Sequence, residues 1–477
     1  MELLFEAIKT IYKSGKVYSC QEKPQIDPQI SMIGDSYTEG TGVNIGTVLK
    51  DGGRYRMWYT AWPEDYNGSD DTALGAYAES DNCIDWVKPN LGLIEYAGNK
   101  DNNLCNPGGI VFIDPEDEGY RYKACGFGRP GRASFGKPFK EEGYYVFHSK
   151  DGLIWDFEQE APRWPGGDVI SVVYHPQQKR AIIPMKYFLR VGDIHRRSIY
   201  IAEYKDGIWS EPSCALVPDE YDDICAKRDG FLSADYYGMG MMPAGKSTVG
   251  FLWQFRHTLP LKTSIKASAQ YLLTNFASDG IVDISLVFQE NPGDIWRHQY
   301  GRRNFISHDE DDSTRSIYSA ASPVEVGDEQ WLFYSSTPLE HVSDYGVDVI
   351  KKYGLGDIRI AKWKKNRLFG FKAVPEGVIE IPLGKVYGSF KIKINCRTEK
   401  EGIIKAYLYD SRIGKNGNWV KDDTCLIAKT DLQGDMIDED INWDGKAVLT
   451  PPKPDSNLML RLELKISSVY AYDVVTI

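Results

Sequence analysis

Acidic residues stand just before, or at the start of, several apolar strand-like stretches of this 477-residue chain. The candidates are Asp35, Glu39, Asp168, Asp229 and Asp235. Two carboxyl groups at one site can cleave a bond by acid–base chemistry when one is protonated and the other is ionised. Asp168 heads an apolar run, and Asp235 stands among apolar and aromatic residues, where an unpaired acid would be costly. The structural alternatives are a solvated loop for Asp35 and Glu39, and turn formation for Asp168 and Asp229.

A second group of residues could bind a polar ligand around such an acid pair. It comprises Trp58, Asn106, Arg190, Trp253, Arg256, His257 and His341. The basic members each follow a strand-like run, a position suited to contacts with the hydroxyl groups of a ligand. Core packing is the alternative for the two tryptophans, and salt bridges or capping for the basic residues. Turn capping is the alternative for Asn106, because asparagines commonly cap turns.

The elements that must position these residues repeat along the chain. Residues 144–155 are typical of a strand, a tight turn at Asp151-Gly152 and a second strand that opens on a tryptophan. Similar patterns occur at 77–86 and 200–209, and a fainter one at 277–280. The turn aspartates are Asp81, Asp151, Asp206 and Asp279. Their spacing of roughly 55 to 73 residues accommodates a four-stranded sheet with its loops, and such repeats indicate a β-propeller.

We predict an all-β fold, a five-bladed β-propeller followed by a C-terminal β-sandwich. Residues 1–34 would form a lead-in, with 7–17 as a strand or short helix docked on the first repeat. Residues 35–374 would form the blades, whose innermost strands line a central funnel, so that acids opening these strands meet at one mouth. Strand-like runs in residues 375–477 are typical of a β-sandwich.

The composition argues against several classes of partner. The formal net charge is −12, from 56 basic and 68 acidic residues, and the absence of a long basic run argues against nucleic acid and anionic membranes. No apolar stretch of about 18 residues predicts a spanning helix, and the first residues lack the regions of a signal peptide. Eight cysteines without metal-type spacing favour reduced thiols and a cytoplasmic location. A homo-oligomer is compatible with the sequence.

Cofactor motifs are missing as well. No phosphate-binding, dinucleotide or zinc-protease motif stands in a suitable context, so we expect no organic cofactor. A structural calcium ion in the axial channel is an open alternative, although no EF-hand-like loop supports it.

Several blade motifs resemble those of a known group of enzymes. They are Gly53-Arg54-Tyr55-Arg56-Met57-Trp58-Tyr59, Tyr77-Ala78-Glu79-Ser80-Asp81 with Trp86, Arg121-Tyr122-Lys123-Ala124, His148-Ser149-Lys150-Asp151-Gly152 with Trp155, Tyr237-Gly238-Met239 with Gly250-Phe251-Leu252-Trp253, and residues 326–334. From about residue 40 onward the chain is similar to five-bladed propeller glycoside hydrolases of families 32 and 43, in particular to a poorly characterised bacterial family 32-like group.

This resemblance implies a glycosidase that acts on a small oligosaccharide through paired carboxylates in the funnel. A furanoside, such as a fructosyl or arabinosyl group, would be the preferred substrate. The short motifs of the characterised members, WMNDPNG or RDP and EC, are absent.

Three other functions stay open. A catalytically silent sugar-binding propeller would keep aromatic residues in the funnel but lack two carboxyl groups about 5–10 Å apart. A sialidase-like exo-glycosidase is suggested by Ser149-Lys150-Asp151-Gly152, a turn one residue shorter than the sialidase pattern SxDxGxxW. An interaction scaffold would instead expose a broad apolar patch.

Overall fold

The computed structural model describes residues 1–4, 12–66, 73–106, 109–131, 133–134, 137–191, 194–258, 279–299, 301–308, 313–341, 346–413, 419–420, 425–454 and 456–477. They form two compact units. The propeller unit comprises residues 24–243 and 248–362, and the sandwich unit comprises residues 1–23, 244–247 and 363–477. Among the helices described, none is long and apolar enough to cross a membrane.

The strands nearest the start of the chain divide between the two units. β1 (Glu2–Leu3) and β2 (Tyr12–Gln21) belong to the sandwich unit, whereas β3 (Gln25–Ile26) belongs to the propeller unit. The predicted lead-in of residues 1–34 is therefore split between two sheets. Residues 7–11 of the segment 7–17, predicted to be a strand or a short helix, lie outside the described residues, and residues 12–17 belong to β2.

Mainly antiparallel sheets of the propeller unit follow one another along the chain, and a parallel pairing of Val282 with Ser316 joins the sheets of blades 4 and 5. Blade 1 contains β4 (Gly42–Asp51), β5 (Arg54–Trp62) and β6 (Leu74–Ser80). Blade 2 contains β7 (Ile110–Ile113), β8 (Tyr122–Gly128), a small ribbon of β9 (Ala133–Ser134) and β10 (Lys137–Pro138), β11 (Gly143–Ser149) and β12 (Trp155–Phe157). Blade 3 contains β13 (Val173–His175), β14 (Arg180–Val191), β15 (Ile194–Lys205), β16 (Ile208–Trp209) and β17 (Ser213–Leu216).

Helix α1 (Glu220–Arg228) leads from blade 3 to blade 4. Blade 4 contains β18 (Ala234–Ala244), β19 (Ser247–His257), β20 (Gly280–Gln289), β21 (Arg297–His298) and β22 (Asn304–Ile306). Blade 5 contains β23 (Ser316–Ser319), β24 (Val324–Val326), β25 (Glu329–Thr337), helix α2 (Val347–Tyr353) and β26 (Asp357–Lys364), with β3 on its outer edge.

Hydrogen bonds between innermost segments join blade 4 to blade 5, blade 5 to blade 1 and blade 1 to blade 2. The amide of Met241 in blade 4 donates to the carbonyl of Ala321 in blade 5 at 2.8 Å, and the amide of Ala321 donates to Gly46 of blade 1 at 2.8 Å. Val111 of blade 2 donates its amide to the hydroxyl of Thr47 at 3.0 Å. The outer edge of blade 5 is completed by β3, with Ile26 opposite Ala361. The prediction of a five-bladed propeller followed by a β-sandwich is confirmed.

The sandwich unit is built around two long strands. They are β28 (Phe390–Asp410) and β33 (Asn457–Thr476), accompanied by β27 (Phe369–Lys385), β29 (Arg412–Ile413), β30 (Trp419–Val420), β31 (Leu426–Leu432) and β32 (Asp435–Asp440). β28 pairs with β33 on both sides of an irregularity between Thr398 and Ile403. Side chains from both halves of β28, such as Ile394 and Leu408, fill one core, so the sheet folds over on itself. The C-terminal part of this unit comprises residues 363–477, whereas the prediction placed the sandwich at residues 375–477. The unit also includes β2, which pairs with β27.

The turn at Asp151 in blade 2 is held by side-chain acceptors. Ser149 Oγ accepts the amide of Gly152 at 2.9 Å, and Asp151 Oδ1 accepts the amides of Leu153 at 2.8 Å and Ile154 at 2.9 Å. The indole N–H of Trp58 in blade 1 donates to the carbonyl of Gly152 at 2.8 Å. The turn therefore joins blade 2 to blade 1 and has a structural role.

The corresponding turn in blade 1 uses Asn82 rather than the predicted Asp81. Ser80 Oγ accepts the amide of Cys83 at 3.0 Å, and Asn82 Oδ1 accepts the amides of Ile84 at 2.9 Å and Asp85 at 2.8 Å. An asparagine oxygen accepts these bonds as an aspartate oxygen does. The residue type therefore led to the prediction of Asp81, although the neighbouring Asn82 forms the turn.

The other two predicted repeat turns have different structures. Asp206 and Gly207 have φ values of 52° and 79° and form the two-residue hairpin between β15 and β16, since such hairpins favour positive φ at both positions. Gly280 is the first residue of β20, and its amide donates to the carbonyl of His341 at 3.0 Å. The Asp206 turn is thus a two-residue hairpin, and residues 277 and 278 of the fainter repeat lie outside the described residues.

The substitution Gly152→Ala is expected to lower the free energy of unfolding of the propeller unit by about 2–3 kcal/mol. Gly152 has a φ of 78°, and a Cβ atom there would lie 2.9 Å from Trp58 Cζ2. The backbone conformation costs about 1–2 kcal/mol for a residue with a Cβ atom, and the close contact adds about 1 kcal/mol. Urea unfolding followed by tryptophan fluorescence measures the change.

Gly207→Ala is the matched control for this substitution. Its φ is 79°, but a Cβ atom there would meet nothing within 4 Å, so only the conformational cost applies. Equal losses of stability in the two variants would show that the contact with Trp58 contributes nothing.

Candidate functional site

Six residues of blades 3, 4 and 5 form a polar group that we name the blade 3–5 cluster. They are Asp168, Lys186, Arg197, Asp235, His257 and His341. Asp168 precedes β13, Asp235 is the second residue of β18, and His257 ends β19. The starts of innermost strands thus supply the carboxylates, and second and third strands supply the cations.

Asp168 is held by Lys186, which comes from the middle of β14. Lys186 Nζ forms an ion pair with Asp168 Oδ1, with side-chain exposures of 4% for the lysine and 50% for the aspartate. Although the burial of its surroundings would raise the pKa of Asp168, the charge and hydrogen bond of Lys186 lower it below the ordinary value. Asp168 is therefore an ionised carboxylate that solvent, and hence a ligand, can reach.

Lys186 itself lies among groups that restrict its motion. Its Nζ lies 4.2 Å from the ring centroid of Tyr237, in the geometry of a cation–π contact. Burial lowers the pKa of Lys186, and the nearby charge of Arg197 lowers it further, whereas Asp168 raises it. Lys186 and Arg197 share one face of the β14–β15 hairpin, because Phe188 pairs with Arg197 and lies two residues from Lys186.

Asp235 is the buried anion of the cluster. Its carboxylate lies 2.8 Å from Arg196 Nε, 3.2 Å from Arg197 Nη1 and 3.2 Å from His257 Nε2. Burial alone would raise the pKa of Asp235, but His257 and the two arginines lower it far below the ordinary range. Arg196 also contacts Asp223 of α1 at 3.0 Å, so Asp235 links blades 3 and 4 and the helix between them.

His341 adds a neutral imidazole from blade 5. Its Nδ1 lies 3.2 Å from the hydroxyl of Tyr318, and its ring centroid lies 4.5 Å from that of Tyr237. Burial, with the positive charges of Arg197 and Lys186, lowers the pKa of His341 to about 3. At neutral pH it can therefore donate one hydrogen bond and accept another.

Aromatic side chains lie beside these polar groups. Tyr237 and Phe255 pack together, with Trp253 against them. Trp253 donates its indole N–H to Ser319 Oγ at 2.8 Å and packs edge-on against Tyr318, with centroids 5.4 Å apart. Charged groups beside partly exposed aromatic rings are the usual components of a polar small-molecule site.

The structure brings four predicted site residues together in the cluster: Asp168, Asp235, His257 and His341. Trp253 lies against Tyr237 and Phe255, the aromatic residues beside the cluster. Arg256 lies elsewhere on β19, with Nη1 3.5 Å from Asp229 Oδ2 and 3.4 Å from Asp283 Oδ2. Asp229 is also the C-cap residue of α1 and pairs with Arg228.

Predicted site residues in blade 1 lie in other surroundings. Lys88 Nζ lies 2.5 Å from Asp35 Oδ1 and 2.6 Å from Glu39 Oε2, and Glu39 is fully buried. Tyr59 donates its hydroxyl to Glu39, and burial, together with the charge of Glu39, raises the pKa of Tyr59 well above its usual value.

The remaining three predicted residues take structural or exposed positions. Trp58 is fully buried between blades 1 and 2, and the side chain of Asn106 accepts the amide of Gly75 at 3.1 Å. Arg190 is exposed near the end of β14.

Sequence reasoning missed Lys186, Arg197, Tyr237 and Tyr318. A signal was present for two of them. Lys186 interrupts the apolar stretch of β14, and Arg196-Arg197 is a double charge inside a strand whose other residues are mostly apolar or aromatic. Charges on inner strand faces are rarely left unpaired, so both indicate a buried anion nearby. Within the described ranges, no group of three or more His, Cys, Asp or Glu side chains is arranged to hold a metal ion.

Comparisons with known proteins give distant likenesses only. No protein-family model and no curated protein matches the chain. A solved thermostable family-43 glycoside hydrolase is similar at 15% identity, covering 69% of this chain and 92% of that one, with a TM-score of 0.42. The Bombyx mori family-32 β-fructofuranosidase (11% identity, 93% and 94% covered, TM-score 0.40) and the exo-inulinase of Aspergillus awamori (11%, 96% and 98%, TM-score 0.39) are similar as well. At TM-scores below 0.5, the chemistry must be argued from the site itself.

Proposed function

We propose that the protein is a glycoside hydrolase whose site is the blade 3–5 cluster, with Asp168 as the reacting carboxylate. The observation that carries the proposal is the pairing of a half-exposed Asp168 with an almost fully buried Lys186. Lys186 keeps the Asp168 carboxylate ionised, and the exposure of Asp168 lets this carboxylate reach a ligand. Such a carboxylate can activate water or attack the anomeric carbon of a sugar, according to its distance from the sugar ring.

Asp235 serves as a positioning residue in this proposal. Its side chain is 5% exposed, so it does not contact a ligand directly. Its contacts with Arg197 and His257 hold both side chains in place. Removing Asp235 would free the side chain of Arg197, which lies near Lys186, and would alter the surroundings of Asp168.

A small sugar is the substrate that these surroundings suit best. Aromatic rings such as Trp253 can pack against the C–H face of a sugar ring, and His341 can bond to a hydroxyl group. The furanoside preference, for a fructosyl or arabinosyl group, rests on the sequence resemblance alone.

A substrate panel tests the proposal. The purified protein is incubated with nitrophenyl α- and β-glycosides of arabinofuranose and of common pyranoses, and with sucrose and short fructans. We expect release of product from at least one furanoside, at a rate above that of Asp168→Asn protein purified in parallel. Equal rates for the two proteins on every substrate would remove the hydrolase assignment.

One observation favours a second candidate function, sugar binding without turnover. A glycosidase usually needs a carboxylic acid of raised pKa to protonate the leaving group. The pKa values of Asp168 and Asp235 are both lowered, so neither carries a proton at neutral pH. Calorimetric titration with the sugars of the same panel, giving binding but no release of product, would favour this function.

The substitution Lys186→Met is expected to shift the acid limb of the kcat/KM profile to higher pH. In the wild type, Lys186 lowers the pKa of Asp168 below its ordinary value. Activity should therefore fall only when the pH drops to this lowered pKa. Without the lysine, the effect of burial dominates and the pKa of Asp168 rises. The profile is measured between pH 3 and 8, a range chosen to include the ordinary carboxyl pKa of about 4.

Lys140→Met is the control for this shift. Lys140 is 65% exposed and pairs with Glu160 on the surface. The substitution therefore removes the same charge without changing a buried site. Superimposable acid limbs for the wild type and Lys186→Met would contradict the role given to the lysine.

A further inference from the structure

A separate cavity in blade 1 has the features of a ligand site. It has a volume of about 680 Å³ and lies between residues 35–38 and residues 88–103. We propose that this cavity is a second binding site, which takes a neutral sugar ring. The proposal goes beyond the hydrolase assignment, because none of the cavity's lining residues belongs to the blade 3–5 cluster.

Two tyrosines supply the apolar surface of the cavity. The ring centroids of Tyr37 and Tyr96 lie 5.8 Å apart, with an angle of 44° between the rings. Tyr37 is 46% exposed, and Tyr96 donates its hydroxyl to Asp65 at 2.7 Å, which fixes the orientation of its ring. A tilted pair of partly exposed rings offers faces to the C–H groups of a sugar.

Internal hydrogen bonds shape the loop that carries Tyr96. Tyr96 and Asn99 pair across a two-residue turn in which Ala97 and Gly98 have φ values of 52° and 78°. The side chain of Asn102 donates to the carbonyl of Ile94 at 2.9 Å. The loop therefore has a defined structure before a ligand binds, which lowers the entropic cost of binding.

The charges of the cavity disfavour an anionic ligand. Asp35 and Asp101 line it with their carboxylates, and Lys88 is its basic side chain. The ammonium group of Lys88 is paired with both Asp35 and the buried Glu39. The lining thus offers mainly acceptors, from carboxylates and from asparagines such as Asn90, to the hydroxyl donors of a neutral sugar.

Calorimetric titration tests this site in Asp168→Asn protein, so that turnover does not interfere. The probes are neutral arabinofuranosyl and fructosyl trisaccharides. Adding Tyr96→Ala is expected to abolish one class of binding site or to weaken it about tenfold, because the ring platform is lost. Tyr96→Phe keeps the ring but loses the bond to Asp65, so it should weaken that binding much less than Tyr96→Ala does. Tyr387→Ala, at a tyrosine that is 66% exposed in the sandwich unit, is the matched control and should change nothing.

The blade 1 site and the hydrolase assignment are tested by different measurements. A binding isotherm unchanged by Tyr96→Ala, or the absence of binding of every probe to the parent protein, would overturn the blade 1 site. The hydrolase assignment depends instead on the rates of the wild type and the Asp168→Asn protein in the substrate panel. Loss of binding in Tyr96→Ala alongside normal circular dichroism supports the site whether or not hydrolysis is found.

Discussion

Replacing Asp168 with asparagine is expected to lower kcat/KM about 10²–10⁴-fold on the best substrate of the panel, the range typical of a general base. Asparagine keeps the shape of the side chain but cannot take a proton or attack as an anion. It also leaves Lys186, which is almost fully buried, without its charged partner. The measurement is initial rates at several substrate concentrations, with thermal unfolding as the check on folding.

Asp206→Asn is the matched control for this substitution. The chemical change is the same, but Asp206 lies at the exposed hairpin turn of blade 3 with a φ of 52°, where asparagine is readily accommodated. Its kcat/KM should equal that of the wild type. Retention of more than half of the wild-type rate by Asp168→Asn would show that another group performs the chemistry.

The largest effect on stability is expected for Asp235→Ala, a loss of about 3–5 kcal/mol in the free energy of unfolding. Asp235 is the shared anion of Arg196, Arg197 and His257. Its removal takes the carboxylate away from the buried Arg197, whereas Arg196 keeps its contact with Asp223. Loss of a buried ion pair costs more than the loss of an exposed one. Urea unfolding at neutral pH measures the change. Asp81, whose side chain is 85% exposed, pairs with Arg54 on the surface, so Asp81→Ala should cost at most about 1 kcal/mol.

The dependence on pH gives an independent readout of the same residue. The pKa of Asp235 is lowered by folding, so its stabilising effect is fully present above its unfolded pKa of about 3.9. That effect is lost as the pH falls through the carboxyl range below this value. The difference in stability between wild type and Asp235→Ala should therefore shrink on acidification from pH 5. A difference that grows on acidification would contradict the ion-pair assignment.

Local pattern was sufficient to predict the blades, because alternating residues and turn signals are properties of short segments. It was not sufficient to choose between Asp81 and Asn82, since both residue types can accept the bonds of the turn. The site depends on pairs distant in sequence, such as Lys186 with Asp168 and Arg197 with Asp235. Acids at the heads of inner strands could be predicted from the repeat, whereas their cationic partners depend on the register of the β14–β15 hairpin.

Arg256 and His257 illustrate the same limit. They are neighbours in the sequence, yet Arg256 lies between Asp229 and Asp283 whereas His257 lies beside Asp235. Successive side chains of a strand point to opposite faces, so adjacent residues at a strand end need not share a site. The sequence could identify this strand end as polar. The packing of α1 and the neighbouring blades places Arg256 beside Asp229 and His257 beside Asp235.

The pairing of the chain's first strands with much later ones has a consequence for its synthesis. β3 pairs with β26, which begins at Asp357, and β2 pairs with β27, which begins at Phe369. The ribosome must therefore add more than three hundred residues before either early strand meets its partner. Until then the growing chain holds segments with unsatisfied backbone groups, which are prone to wrong pairing. Nascent chains released before residue 357 should thus depend on chaperones, and the pairing of β3 with β26 should be a late step of synthesis.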